Sequence, residues 1–301
     1  RGFQGGTFNF HGFRLPFVYS TNGKVFWFQD LREPDSRSRE VAGFHTPSAL
    51  REFLSRDTAF AQAWLRTTPI DDSSLRPYQR GAIASVERAI LAGKRRMLVA
   101  MATGTGKTFT TIGLIYRLMK SGLARRILFL IDRRALAAQA AGAMAVFQPE
   151  PGLKFDRIYE VFSQRFRRED LEDQFKFDPK VLPTEYLTDP KPRDVFVYVC
   201  TIQRMRINLF GREGAFGAGR EPSDEEPDAE ALDIPIHAFD CVIADECHRG
   251  YTSTEESKWR EVMEHFDGVK IGLTATPAAH TKAYFRDIVF RYEYERAVRE
   301  G

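Results

Sequence analysis

Three short stretches carry side chains whose types and spacing allow them to do chemistry together. In the first, the apolar run Met97–Met101 stops at Ala102-Thr103-Gly104-Thr105-Gly106-Lys107-Thr108. Strand, tight Gly- and Thr-rich turn, then helix is the layout that holds a nucleotide triphosphate. Loop and helix-start N–H groups point at the phosphates, and Lys107 adds a point charge. Thr108 can place its hydroxyl on a Mg²⁺ ion. The pattern G-x-x-x-x-G-K-[ST] asks for Gly at position 101, where this chain has Met101. In the second stretch, Val242-Ile243-Ala244 runs into Asp245-Glu246-Cys247-His248. Asp245 can hold Mg²⁺ directly or through water, and Glu246 can orient or deprotonate an attacking water. Taken alone, such a carboxylate pair is as readily a solvated strand end. In the third, Gly272-Leu273-Thr274-Ala275-Thr276-Pro277 sets two hydroxyls around a small residue before a Pro stop. These can bond neighbouring carboxylates and sense phosphate, although a Thr-rich strand end is common by itself.

The elements that must position these stretches follow from the apolar pattern. Arg96–Met101, Ile127–Ile131, Val195–Cys200, Cys241–Ala244 and Val269–Leu273 read as buried strands. Ala82, Ile83, Val86, Ala89, Ile90 and Leu91 recur at helical spacing, as do Ile112, Leu114, Ile115 and Leu118 within Lys107–Lys120. Arg134–Phe147 and Ser257–Phe266 read as further helices. Alternation of this kind predicts an α/β fold, a parallel sheet with helices on both faces. Ligands sit at the carboxyl ends of strands in such sheets, so Asp245 and Glu246 are expected to face the same crevice as Lys107.

Upstream, Leu15–Ser20 and Val25–Gln29 flank Thr21-Asn22-Gly23-Lys24, a hairpin signal because Asn and Gly tolerate positive φ. A helix is expected to start with Thr46 as N-cap and Pro47 in its first turn and to run through Ser48–Leu54. A second is expected over Thr58–Leu65. Thr68–Ser74 reads as a linker, which places a boundary near residue 70 between a small α+β region (1–70) and an α/β lobe (71–301). Two insertions break the rhythm. Residues 148–194 mix prolines and charge; residues 211–238 are rich in Gly and acid and read as a mobile loop.

Composition bounds the rest. The chain has 301 residues, 43% apolar and 28% charged, the balance of a soluble protein with room for a sizeable core. Its formal charge of +3 hides an uneven distribution, for Glu221 to His237 hold seven acidic residues and no Lys or Arg. The remainder is therefore more basic than the total implies, which is compatible with a polyanion partner. Three cysteines, Cys200, Cys241 and Cys247, fit neither a disulfide framework nor a zinc site, so a reducing cytosol is the expected compartment. No apolar run approaches a membrane span and no signal peptide is visible. A start at Arg1 without Met and an end mid-pattern at Gly301 read as a piece of something longer.

Together, Met101–Thr108, Asp245-Glu246-Cys247-His248-Arg249-Gly250 and Gly272–Pro277 resemble motifs I, II and III of superfamily 2 helicases and translocases. The closer resemblance is to the restriction (motor) subunit of type I restriction-modification systems, whose loop also carries Met at the position of Met101. Leu75-Arg76-Pro77-Tyr78-Gln79 resembles the adenine-reading Q motif. Phe129-Leu130-Ile131-Asp132-Arg133 resembles motif Ia, and Thr201-Ile202-Gln203-Arg204-Met205 motif Ib. Pro16–Gly23 and Phe44–Pro47 resemble the stretch between that family's nuclease core and its motor.

The resemblance implies a RecA-like first motor lobe of the P-loop NTPase class, using ATP and Mg²⁺. It implies that Arg76 and Gln79 lie at the adenine and Thr103, Gly104, Thr105, Gly106, Lys107 and Thr108 around the phosphates. Thr108 and Asp245 would hold the metal, and Glu246 would activate water. His248, Thr274 and Thr276 would couple nucleotide state to DNA, and Arg133, Arg134, Thr201 and Gln203 would touch the DNA backbone. The implied partners are double-stranded DNA, a second RecA-like lobe with its arginine finger after Gly301, and methyltransferase and specificity subunits. The family's nuclease core would lie upstream of Arg1; Glu256-Ser257-Lys258, the one Glu-x-Lys here, reads as a helix surface. Two alternatives remain at this point. One is a type III restriction subunit or stand-alone helicase; the other is a nucleotide-binding scaffold lobe without productive hydrolysis.

Overall fold

The structure is a computed structural model that describes residues 15–32, 36–71, 74–167, 170, 180–216, 226–247 and 253–293. The Gly- and Phe-rich start, His248 and residues 221–225 of the acidic stretch lie outside the described residues, as do the side chains of Glu256 and Lys258.

The amino-terminal part is an antiparallel meander of β1 (Phe17–Thr21), β2 (Phe26–Asp30) and β3 (Arg39–Val41), followed by α1 (Pro47–Ser55) and α2 (Thr58–Thr67). The expected hairpin is present: Thr21 pairs with Phe26, Gly23 has φ +87°, and the Asn22 side chain accepts the N–H groups of Lys24 and Val25. Thr46 caps α1 by accepting the Ala49 N–H, with Pro47 at the first turn, as its sequence position predicts. Strand β3 follows a charged stretch and has no counterpart in the apolar pattern; its pairing with β2, not its composition, makes it a strand.

The rest of the chain supplies α3 (Pro77–Leu91), β4 (Arg96–Met101), α4 (Lys107–Lys120), β5 (Arg126–Ile131) and α5 (Arg134–Val146). It continues through α6 (Phe155–Ile158), β6 (Glu160–Ser163), β7 (Lys180–Val181), α7 (Thr184–Thr188), β8 (Phe196–Thr201) and α8 (Ile202–Phe216). Last come β9 (Cys241–Ala244), α9 (Ser253–His265), β10 (Val269–Thr274), α10 (Ala279–Phe285) and β11 (Ile288–Tyr292). Eight strands pair in parallel in the order β11-β4-β10-β9-β5-β8-β6-β7. Alternate side chains sort into two cores, as a period of two requires. Met97, Val99, Ile127, Phe129 and Ile243 meet α3, α4 and α5 on one face. Leu98, Leu128, Leu130, Val242 and Ala244 meet Met205, Val262 and Phe285 on the other. Every residue of β5 is buried, and each large aliphatic or aromatic side chain so buried stabilises the fold by about 2 kcal/mol.

Three sequence expectations need correction. The 148–194 stretch is no interruption, because β6 and β7 extend the same parallel sheet beyond β8. Strand β11, absent from the sequence reading, pairs with β4 immediately before the phosphate loop. The acidic stretch is not a free loop over its described half. Ala229, Ile234, Ile236 and His237 are buried, Leu232 N–H donates to Asn208, and Asp267 N–H donates to the Ile236 carbonyl. Ala229, Leu232, Ile234 and Ile236 anchor it, while the carboxylates dominate its composition.

The amino ends of the strands form a second charged edge, and residues 39–56 seat on it. Asp267, before β10, accepts Arg39 at 2.6 and 2.7 Å, His45 at 2.9 Å and Arg95 at 3.0 Å. Fully buried Arg126 holds Glu52 of α1 at 3.2 and 3.0 Å, and Arg56 holds Asp240 at 2.8 Å. Burial by itself would raise the Asp267 carboxyl, but Arg95 and the bonds from His45 and Arg39 outweigh it and hold the group below the usual range. His237, beside Arg126 and His45, is pushed down to about 4, chiefly by burial.

The sign of the pH effect follows from His237. Between its ordinary 6.5 and about 4 the unfolded chain binds a proton that the folded chain refuses, so stability falls as pH falls across that window. His265, also lowered by burial, acts in the same direction. Asp267 adds its loss only at lower pH, beneath its ordinary 3.8. Denaturant unfolding from pH 7 to 4 is expected to show this decline, and His237→Gln to flatten it; an unchanged slope in the variant contradicts the assignment.

Candidate nucleotide site

The three chemical stretches meet at the carboxyl edge of three adjacent strands. Strand β10 lies between β4 and β9, with Thr274 opposite Ala100 and Gly272 opposite Ala244. The loop after β4 therefore faces the acidic box after β9, with the Thr-Ala-Thr segment between them. Lys107 Nζ donates to Glu246 Oε1 at 2.7 Å, and both side chains are largely enclosed.

The loop's shape depends on two glycines. Gly104 and Gly106 have φ +81° and +76°, a region costly for residues with a Cβ. At Gly104 a Cβ would meet no protein atom within 4 Å, so the loop opens there into space that phosphate oxygens can fill. At Gly106 a Cβ would run into the Gln79 amide. Thr105 is buried and its hydroxyl donates to Ala102 at 2.7 Å, closing the turn, while Thr103 and Gly104 stand exposed at its tip. Thr108 is in the first turn of α4, beside Lys107.

Gln79 clasps this loop. Its Nε2 donates to the carbonyls of Thr105 at 3.1 Å and Gly106 at 3.3 Å, and its Oε1 accepts the Arg76 N–H at 2.8 Å. Arg76, at the start of α3, is exposed. Both amide protons of Gln79 are thus used on the chain itself, which leaves an Oε1 lone pair for a base edge.

Two contributors escaped the sequence reading. Tyr78 donates its hydroxyl to the Thr105 carbonyl at 3.0 Å. The ring of Tyr292 stacks on Tyr78 at 4.0 Å and 8°, and its carbonyl accepts the Ala102 N–H at 2.9 Å. Tyr78 stands beside Gln79 in the Leu75–Gln79 stretch; nothing in the sequence marks Tyr292, because its strand is mostly half-buried and carries no clear apolar pattern.

The acidic box is strained. Glu246 has φ +48°, and its N–H donates to Asp245 Oδ1 at 2.9 Å. Holding a non-glycine residue there costs on the order of 1 kcal/mol, and such strain gathers at functional sites. Asp245 N–H bonds Leu130 at 2.9 Å, and Cys247 N–H bonds Leu273 at 3.3 Å, so the turn is tied to both neighbouring strands. Thr274 is fully buried and its hydroxyl accepts the Thr276 N–H at 3.1 Å; Thr276 is exposed. Among the described residues no group of three His, Cys, Asp or Glu side chains could hold a metal ion. Asp245 and Thr108 are the side chains here that could hold Mg²⁺, a cation that takes one or two protein oxygens and draws the rest from phosphate and water.

The residues offered for DNA divide. Arg133 is exposed, with only a 3.8 Å approach to Asp132. Arg134 is largely enclosed and paired with Asp170 at 3.0 Å and Glu226 at 3.3 Å. Thr201 is buried and donates to Glu226 at 2.8 Å. Gln203 is half-buried with its Oε1 unpartnered. The side chains of Arg134 and Thr201 are thus held by a carboxylate within the protein, while Arg133 stands exposed.

The model of the family described as "Type III restriction enzyme, res subunit" matches residues 72–279. The chain belongs to that family. It is 33% identical over 96% of its length to the type I restriction enzyme EcoKI endonuclease subunit of Escherichia coli K12, covering 23% of that protein. It is 28% identical over 95% of its length to the EcoAI endonuclease subunit of Escherichia coli, covering 31% of it. The chain therefore spans about a quarter to a third of these relatives. A solved fragment of an HsdR subunit of a type I restriction enzyme from Vibrio vulnificus YJ016 aligns with TM-score 0.44 at 23% identity. That alignment covers 92% of this chain and 41% of the other. The stretch matched to these restriction subunits takes in the whole α/β site described above, from the phosphate loop to the Thr-Ala-Thr segment.

Gly106→Ala is expected to weaken ATP–Mg²⁺ binding about tenfold, through the left-handed strain and the collision with Gln79. Gly93→Ala supplies the control, with the same φ of +76° in a remote turn and nothing within 4 Å of its Cβ; nucleotide affinity should not change. Titration calorimetry reads both. Equal affinities for the two variants contradict the cradle assignment.

Proposed function

We propose that this chain is the ATP-binding lobe of a type I restriction R subunit, driving translocation along double-stranded DNA coupled to cleavage elsewhere in the subunit. The observation that carries this reading is the 2.7 Å contact between Lys107 and Glu246, which joins the phosphate loop to the acidic box. The type I assignment over type III is supported by the alignments to the EcoKI and EcoAI subunits. They extend over 96% and 95% of the chain and so take in the amino-terminal region that the family match at 72–279 leaves out.

In this reading, Gly104–Thr108 cradle the phosphates of ATP, and Gln79 offers its remaining Oε1 lone pair to the adenine. Lys107 turns from Glu246 to the β and γ phosphates, which frees the Glu246 carboxylate to take a proton from water. Thr108 and Asp245 would hold Mg²⁺, which when bound neutralises charge developing on the transferred phosphoryl group. Buried Thr274 passes the state of the acidic box to exposed Thr276. A second RecA-like lobe would supply the arginine finger, and methyltransferase and specificity subunits would choose the DNA site. A scaffold lobe without hydrolysis has no need of Lys107, Asp245 and Glu246 together at one strained edge, which disfavours that alternative.

DNA-stimulated ATPase of the full-length subunit tests the proposal. Glu246→Gln is expected to cut turnover at least a hundredfold with ATP affinity retained. Turnover within a few fold of the unaltered protein would falsify the role given to Glu246.

A further inference from the structure

Among the described carboxylates of the acidic stretch, Glu226 is the one buried at the carboxyl edge of the sheet, 1% exposed. Its Oε1 accepts the Thr201 hydroxyl at 2.8 Å and Gln164 Nε2 at 2.7 Å. Its Oε2 accepts Arg134 at 3.3 Å and Arg204 at 3.4 Å. Gln164 Oε1 in turn accepts the Thr201 N–H at 2.7 Å. A carboxylate offers about four acceptor sites, so this set is complete. The donors come from the last residue of β8 and from just beyond β5, β6 and β8, three strands adjacent in the sheet.

The charges around it are not arranged to offer cations. Arg134 also pairs with Asp170 at 3.0 Å and Arg204 with Asp228 at 3.0 Å, so two arginines face three carboxylates. Nor is stability a sufficient account, since apolar residues often replace a buried ionic cluster with no loss. What four donors on one carboxylate do supply is a fixed distance between the start of α5 and the start of α8.

We propose that Glu226 is a positioning residue for DNA: it sets the spacing between the motif Ia and motif Ib segments, so that both engage one DNA strand at once. This rests on the translocase reading above. Exposed Arg133 and the main chain of the two segments make the contacts; Glu226 acts through Thr201, Gln164, Arg134 and Arg204 and touches no DNA.

The test is DNA-stimulated ATPase of the full-length subunit, titrated with linear duplex. Glu226→Gln keeps the size and removes the charge, and is expected to raise KM for DNA about tenfold with kcat at saturating DNA held within twofold. Because no phosphate contact is removed, the ratio of KM values between variant and unaltered protein should hold from 50 to 200 mM salt, roughly the range over which lost contacts alter the slope. If Glu226→Gln does not fold, Gln164→Met removes one donor to the carboxylate together with the acceptor of the Thr201 N–H, leaves the two arginine contacts in place, and should give the same split. An unchanged KM overturns the proposal. So does a lower KM, which would make the carboxylate an internal competitor of DNA, and so does a uniform loss of kcat and ATP affinity. Absence of DNA stimulation in the unaltered protein is a separate result; it overturns the translocase reading and this inference with it.

Discussion

All pairings in the main sheet run one way, and that constraint organises the molecule. When eight strands point in the same direction, every segment that follows a strand emerges on one edge and every segment that precedes one lies on the other. Stretches far apart in sequence, after β4, β9 and β10, become neighbours without any further device. Lys107 and Glu246 are 139 positions apart and meet at 2.7 Å because their strands are separated only by β10.

The two edges hold charge for different ends. At the amino edge, Asp267, Asp240 and Arg126 are nearly or fully buried and completed by groups from residues 39–56, so opposite charges meet in enclosed, fixed pairs. Removing one member of such a pair strands the other, which is why this junction is rigid in one arrangement. At the carboxyl edge, Lys107 and Glu246 retain some exposure, and Glu246 is held in a strained backbone conformation. In the ATP-binding reading proposed above, this pair is the one that would exchange partners with phosphate. Glu226 stands between these cases. It lies on the carboxyl edge but is enclosed like the amino-edge pairs, and so fixes geometry where other groups must move.

Contacts to the phosphate loop come from elements on both sides. Gln79 and Tyr78 reach it from α3, and Tyr292 from the last described strand, which follows the acidic box and the Thr-Ala-Thr segment in sequence. The loop is shaped by hydrogen bonds to the carbonyls of Ala102, Thr105 and Gly106, and the N–H groups of Ala102 and Thr105 are spent on the chain itself.

The order of residue types marks the candidate chemistry and the strand-helix alternation before any fold is known. Gly104-Thr105-Gly106-Lys107-Thr108, Asp245-Glu246 and Thr274-Ala275-Thr276 are local signals, because left-handed glycines, adjacent carboxylates and a helix start need only near neighbours. The five strands read from apolar runs are those buried on both faces, where composition and position agree. Tertiary structure decided what burial and pairing impose from afar. Short β3, β6, β7 and β11 are strands because a neighbour offers them an edge. Glu226, read as one charge in a solvated acidic loop, became a buried tie because four donors from three strands surround it. Arg134 and Thr201 lost their freedom to the same carboxylate. Gln79 gained a clasp on the loop that its place in a motif did not disclose. A residue's type is fixed by the sequence, but its partners are set by which strands lie side by side, and that order is a property of the folded sheet.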